Sequence, residues 1–455
     1  MDLRFLAVGV LFALSILPVR LSAGLRVAMP LVFLTVAAFF HALASTSDLF
    51  LLGELGLRAL TFTLFAVEIV KSRVGFRASG RWLSVGGRGL LSIAGALMVW
   101  VAVRNVAGGT GQLGSLYDVV NPWGTVLILV AVLYWLDCVQ LLASWKARAP
   151  AITALGLSAS LALFAMMVLV YLGLLAGNTG KVAEGTGGLG LANTATNETG
   201  LLAICLLMLC LWIASPVSSP GRLLRVTATA ADIMVVFMTR SRLSIAVAGV
   251  VLVLYFWSRL SARPHGRLTV AAGIAAALIL FGTVGASIVR SRTAREVQLS
   301  RIAGGDRLVL WAGYGAAFAS EAEARPTVWI TGVSPVGLLG LYDLSELEKF
   351  DLQMPDGQPF YPVHSELLTS FLTGGVVGLL GWLLIWWQLL HFPYRRDRRA
   401  QAAGALMTLA AWFLADMVQY SPFAVTLLFF LLADSVDSSQ QPGLHGGPAP
   451  QSGTP

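Results

Sequence analysis

A chain of 455 residues that is 57% hydrophobic and only 12% charged, with a mean hydropathy of +0.78, is too apolar for a soluble multidomain protein and reads as a polytopic membrane protein. Its net charge of +8 does not point to nucleic acid, because the basic residues fall almost wholly in short loops between hydrophobic stretches, as the positive-inside bias requires. The three cysteines, Cys138, Cys205 and Cys210, lie inside those stretches, which argues against a disulfide framework or a cysteine metal cluster.

A membrane span needs about 20 mainly apolar residues. Stretches that qualify run near 3–19, 27–45, 48–70, 88–104, 123–143, 154–176, 199–216, 223–238, 243–257, 269–289, 365–392 and 402–433. The predicted fold is therefore all-α, with about twelve transmembrane helices and one large, partly helical extracytoplasmic loop. Residues 1–289 hold the first ten spans, 290–363 the loop, 364–434 the C-terminal spans, and 435–455 a Gly/Pro/Ser/Gln-rich tail expected to be disordered. The first stretch lacks a small-residue cleavage site and reads as an uncleaved anchor. Polar residues from Asp416 to Pro422 cut the last stretch, which is either one interrupted span or two short helices, for a total of about twelve or thirteen spans.

Arginine and lysine concentrate in 71–88, 146–148, 222–225, 259–267 and 395–399, which assigns these loops to the cytoplasm. By alternation 105–122, 178–198, 239–242 and 290–363 face outward. Ionisable residues within spans are costly and are functional hypotheses by default. Glu54 and Arg58, four apart, are expected to neutralise each other on one helix face, whereas Asp137, Asp232 and Asp416 have no evident local partner.

The outward segments carry the chemistry. Arg240 and Arg242 in Thr239-Arg240-Ser241-Arg242 either snorkel to lipid headgroups or present a planar fork to phosphate oxygens. Helical geometry directs two such residues to different sides, and Arg242 is the preferred ligand. The long loop opens with Arg290, Arg292, Arg295, Arg301 and Arg307, an anion-binding set. Asp306 is a plausible N-cap for a helix running to about Ala324, with Arg307 in its first turn. There Arg307 meets either a bound anion or a loop acid such as Asp306 or Glu321. The loop aromatics, among them Trp311, Tyr314 and Trp329, form either its core or sugar-stacking surfaces. His364 ends the loop just before a helix and is either structural or a base of suitable pKa for a hydroxyl. Gly374, Gly375, Gly378 and Gly381 follow, a spacing that implies close helix packing.

Taken in order, Asn193-Thr194-Ala195-Thr196-Asn197-Glu198 opening a span, Thr239-Arg240-Ser241-Arg242, Arg307 with Trp311 and Gly332, and His364 leading a Gly-rich span resemble the bacterial O-antigen ligase and polymerase superfamily of membrane glycosyltransferases. The resemblance covers roughly residues 190 to 435. It departs from the family at Ser365, where Asn is frequent, and at Thr373, where Glu is frequent.

The resemblance implies a metal-independent, cofactor-free inverting transfer of a glycan from undecaprenyl pyrophosphate to a glycan or other hydroxyl acceptor, in O-antigen, capsule or exopolysaccharide biosynthesis. The reaction would take place on the outer face of a bacterial inner membrane, in contact with membrane lipid and polysaccharide assembly proteins. By the same resemblance His364 is the catalytic base, Arg242 and Arg307 stabilise the developing pyrophosphate charge, and Arg240, Arg301, Asn197 and Trp311 bind substrate. Polymerase is preferred over ligase because the motifs match the less uniform polymerases better. The alternative from a different class is a transporter or flippase of polysaccharide or lipid-linked sugar, which would also use many spans and buried acids.

Overall fold

The computed structural model describes residues 149–175, 177–178, 189–191, 196–213, 219–260, 305–333, 365–391, 394–415 and 422–435, together with separate helical positions between 32 and 64 and between 93 and 97. The described chain is mostly helical. α1 (Ala149–Tyr171) leads to a two-residue antiparallel pair, β1 (Gly177–Asn178) with β2 (Gly190–Leu191). α2 (Thr196–Met208) runs directly into a π-helical turn (Leu209–Ile213), and α3 (Ser219–Thr239) and α4 (Arg242–Leu260) follow. α5 (Gly305–Ala324) and the short α6 (Val328–Thr331) fall within the long polar stretch. The C-terminal part holds α7 (Glu366–Leu390), a 3-10 turn (Arg396–Arg398), α8 (Arg399–Ala415) and α9 (Pro422–Asp434).

Among the described residues two helices are long and apolar enough to cross a membrane, Arg242–Arg259 within α4 and Glu366–Leu390 in α7, and Gly156–Tyr171 and Asn197–Trp212 are shorter apolar helices. The spans expected at 3–19, 123–143 and 269–289 lie outside the described residues, as do Asp137 and Asp416. In the N-terminal part Glu54 and Arg58 are both buried and their charged groups meet at 2.5 Å, the pairing expected from their spacing.

α2 is the hub. It packs against α3, α4, α1 and α9, and every residue from Leu201 to Trp212 is buried. A helix apolar on all sides belongs in such a position. α3, α4 and α7, by contrast, leave Met234, Phe256, Trp257, Leu383 and Trp387 exposed, the kind of apolar surface that lipid covers.

The π turn leaves carbonyls at the end of α2 that cannot close a regular ladder. Arg225 Nη2 donates to Leu211 O at 2.9 Å, and Arg398 Nη1 donates to Trp212 O at 3.2 Å. A cation at a helix C-terminus also meets the negative end of the macrodipole. Basic residues read from sequence purely as topology signals are therefore helix caps as well. Arg398 Nη1 further reaches Gln401 Oε1 at 3.0 Å and Asp434 at 3.3 Å, and Gln401 Nε2 donates to Leu431 O at 2.9 Å, which pins α9 to α8.

Three boundaries differ from expectation. The loop helix ends at Ala324 as expected but begins at Gly305, so Asp306 lies inside it instead of capping it. Ser435 is not tail: it is buried, its carbonyl accepts from Arg395 N–H at 2.8 Å, and its hydroxyl donates to Leu431 O at 2.7 Å. The remaining tail, 436–455, lies outside the described residues. The last hydrophobic stretch does divide, with α8 ending at Ala415 and α9 starting at Pro422, where a missing N–H costs a helix nothing.

The third difference is in α7. Gly375 adopts φ 60°, ψ −153° inside the helix, a conformation open to glycine but strained for other residues. Val333 N–H donates to Leu372 O at 2.8 Å, supplying the partner that a regular helix would take from its next turn. A Cβ on Gly375 would lie 2.5 Å from the Ile330 carbonyl, and one on Gly332 would lie 2.2 Å from Thr373 C. Of the four glycines expected to pack helix against helix, Gly375 instead breaks α7 and, with Gly332, lets the backbone after α6 dock onto it.

Candidate functional site

The best-defined of the segments expected to face outward is the turn between α3 and α4. Ser241 Oγ accepts from Ser244 N–H at 3.1 Å, three residues on, so Ser241 caps α4 in the usual N-terminal manner. The same oxygen accepts from Ser244 Oγ at 2.9 Å and donates to Asn197 Oδ1 at 2.6 Å. One donor and two acceptor positions are thus all used. Ser241 N–H reaches Thr239 Oγ1 at 3.3 Å, and that hydroxyl donates to Val236 O at 2.7 Å.

This polar knot is sealed from solvent, with Thr239, Ser241 and Ser244 all buried. Its compactness depends on Gly200 in α2, where an added Cβ would fall 2.0 Å from Ser244 Oγ. Leu189 N–H donates to Met238 O at 2.9 Å, so the strand-like segment before α2 straps the end of α3. Asn197 is thereby joined to the arginine turn through a direct hydrogen bond across 44 residues of sequence.

On either side of buried Ser241 stand Arg240 and Arg242, both exposed. Arg240 has φ 49°, a left-handed conformation that costs a non-glycine residue about 1–2 kcal/mol and is held by the bonds around it. It is therefore not helical, and the helical reasoning that directed the two arginines apart does not apply to it. Arg242 is the first residue of α4, where the unsatisfied N–H groups and the positive end of the macrodipole favour an anion. Arg240 and Arg242 thus place two guanidinium groups at the tip of a membrane-length helix.

A second group of the residues singled out from sequence lies on α5 and at the start of α7, and among the described residues none of the principal helix–helix contacts joins it to the arginine turn. Arg307 is in the first turn of α5; its side chain lies outside the described residues, as do Arg301 and His364 entirely. Trp311, one turn after Arg307, is half-buried and packs on a cluster formed by Leu310, Tyr314, Ala317, Phe318, Ala322, Val328 and Leu372. Tyr314 and Phe318 are core residues, whereas Trp329 is half exposed and sits edge-on to Phe318 at 5.4 Å. The loop aromatics thus divide, with Trp329 presenting a face to solvent. Glu321 is engaged by Arg325 one turn later.

α7 starts at the meeting of the two cores. Ser365 is its N-cap, accepting from Leu368 N–H at 3.3 Å. Leu367 packs on the main core and Leu368 on the α5 cluster. Thr373 spends its hydroxyl on Thr369 O at 2.7 Å. Chain continuity sets His364 one residue before this cap.

Of the residues singled out from sequence, Asn197, Arg240 and Arg242 come together, and Arg307 and Trp311 share one helix that packs on the first turns of α7. Sequence reasoning held Ser241 only as part of the Thr239–Arg242 motif, without its capping role, and missed Ser244 and Gly200. Its available signal was Ser241-x-x-Ser244 at a helix start, which resembles a capping pattern; nothing local marks Gly200. Compared with known proteins, the chain matches no protein-family model and no curated relative.

Proposed function

We propose that this protein is a multi-pass glycosyltransferase of the bacterial inner membrane that uses an undecaprenyl-pyrophosphate-linked oligosaccharide as donor and works on the extracytoplasmic face. The observation that carries the reading is the Asn197–Ser241 bond, 2.6 Å long, which fixes the turn that presents left-handed Arg240 and helical Arg242 at the start of a membrane-length helix. Such a turn suits the pyrophosphate of a lipid whose chain lies alongside α4. With about twelve spans the chain would surround that lipid, and 290–363 would cover its sugar.

In the proposed step the acceptor hydroxyl oxygen attacks the anomeric carbon from the side opposite the phosphate. The hydroxyl proton passes to His364, the new glycosidic C–O bond forms with inversion, and the anomeric C–O bond to phosphate breaks. Its electron pair leaves on undecaprenyl pyrophosphate, whose added negative charge Arg242 and Arg307 stabilise, Arg240 and Arg301 holding the remaining phosphate oxygens. Fixed donors at developing charge contribute about 10²–10³ in rate, and a placed base about 10²–10⁴. The acceptor is a second lipid-linked glycan for a polymerase, which is preferred, or a different surface molecule for a ligase.

The test uses the purified chain in nanodiscs with a fluorescent lipid-pyrophosphate oligosaccharide. Transfer should drop at least about a hundredfold with His364→Ala, Arg307→Ala or Arg242→Ala; undiminished transfer by all three sinks the assignment. Chain lengthening without an added acceptor identifies a polymerase. A transporter reading has its own support in the break at Gly375 and the buried Asp232, since broken helices and intramembrane acids serve transport sites. It predicts movement of a lipid-linked sugar between leaflets of a liposome with no new glycosidic bond.

A further inference from the structure

Within the bundle, away from the arginine turn, α3 carries one acid, Asp232, seven residues or roughly 10 Å before Thr239. It is 0% exposed. Ser160 of α1, also 0% exposed, donates its hydroxyl to Asp232 Oδ2 at 2.9 Å and lies 3.7 Å from Cys210 Sγ in the π turn. Among the described residues Asp232 Oδ1 has no hydrogen-bond partner.

Among the described residues no cation is paired with the carboxyl. α1 contains no acid or base, and α2 contributes only Glu198 in its first turn. The arginines of α4, Arg242 and Arg259, sit at its two ends. On α3 itself Arg222 and Arg225 lie in the N-terminal part, and Arg225 is spent on Leu211 O at 2.9 Å and the Tyr255 hydroxyl at 3.3 Å. Cys210, the titratable group of the π turn, faces the Asp232 carboxyl. A charged carboxylate with one unpaired oxygen costs many kcal/mol in such surroundings, and among the described residues no side chain supplies it with a positive partner.

The neighbouring backbone points the same way. A π turn interrupts the regular carbonyl ladder of α2 beside this acid, and such turns are frequent at functional sites. We infer that Asp232 and Ser160 form a membrane-embedded site for a small monovalent cation, a proton or an alkali ion, and that its occupancy tightens the packing of α1 and the π turn on α3. The site couples a cation gradient to the helix that ends at the arginine turn, and it does not depend on which reaction that turn serves.

The full chain in nanodiscs supplies the test, through its thermal unfolding midpoint. Raising sodium at fixed pH and ionic strength, with potassium as the balancing ion, should raise the midpoint if the occupant is an alkali ion. Lowering pH at constant sodium should raise it if the occupant is a proton, with an infrared carboxylic-acid band that Asp232→Asn removes. Asp232→Asn should be indifferent to the effective ion, and Ser160→Ala should shift the titration midpoint about tenfold by deleting one hydrogen bond to the carboxyl. If Asp232→Asn does not fold, Ser160→Ala carries the comparison. A wild-type midpoint insensitive to both ions, a response retained in Asp232→Asn, or one unchanged in Ser160→Ala overturns the inference.

Discussion

Ser241→Ala deletes the atom at the centre of the arginine turn, and its cost can be worked bond by bond. Removing an N-cap hydroxyl costs about 1 kcal/mol, and here the lost cap is the bond from Ser244 N–H at 3.1 Å. Deleting the 2.6 Å bond to Asn197 and the 2.9 Å bond from Ser244 Oγ adds about 1 kcal/mol each for neutral buried pairs, so the total is about 3 kcal/mol. Ser241→Gly separates the cap from the other two bonds, because glycine at an N-cap costs only a few tenths of a kcal/mol while the Asn197 and Ser244 Oγ bonds are still lost. The assay is equilibrium unfolding in mixed micelles, run as a double-mutant cycle with Asn197→Ala, in which a coupling of about 1 kcal/mol is expected. Strict additivity, within about 0.5 kcal/mol, would refute the claim that this bond ties α2 to the turn.

Arg240→Gly should raise stability by about 1 kcal/mol, since glycine adopts the left-handed conformation without the penalty. Glycan transfer should fall in the same variant, and a stability loss would show that the side chain contributes more than its backbone costs. Gly375→Ala should be severely destabilising, because a Cβ both strains φ 60° and meets the Ile330 carbonyl at 2.5 Å; limited proteolysis should then cut between α6 and α7 faster than in wild type. Burial pushes the Tyr394 phenol well above its ordinary value, and its hydroxyl donates to Leu389 O at 2.5 Å. The folded state therefore holds this proton more tightly than the unfolded chain. The resulting stability is complete below the unfolded value of about 10 and is lost as pH rises from there through the folded value. Tyr394→Phe should flatten that alkaline limb in a pH series of unfolding midpoints.

Local features were legible from the chain. The end of α5 at Ala324, the helix that follows His364, the division of the last apolar stretch before Pro422 and the Glu54–Arg58 pair all follow from capping, proline and i,i+4 rules that operate within a few residues. The Arg240–Arg242 turn was found because charge there runs against the topology bias, which is also a local signal. Its internal structure was not: residues two apart were treated as helical neighbours, and the left-handed Arg240 lies outside that geometry.

By itself the sequence determined that this is an apolar, helical chain with basic loops and where many of its helices break, because hydropathy and turn chemistry are written residue by residue. Only the tertiary structure decided that Asn197 bonds to Ser241, that Arg225 and Arg398 cap the π turn, that Val333 fills the gap opened at Gly375, and that Ser160 meets Asp232. Each joins residues far apart in the chain. Burial leaves a polar group to be satisfied by whatever the packing brings near it, and no local pattern specifies that partner.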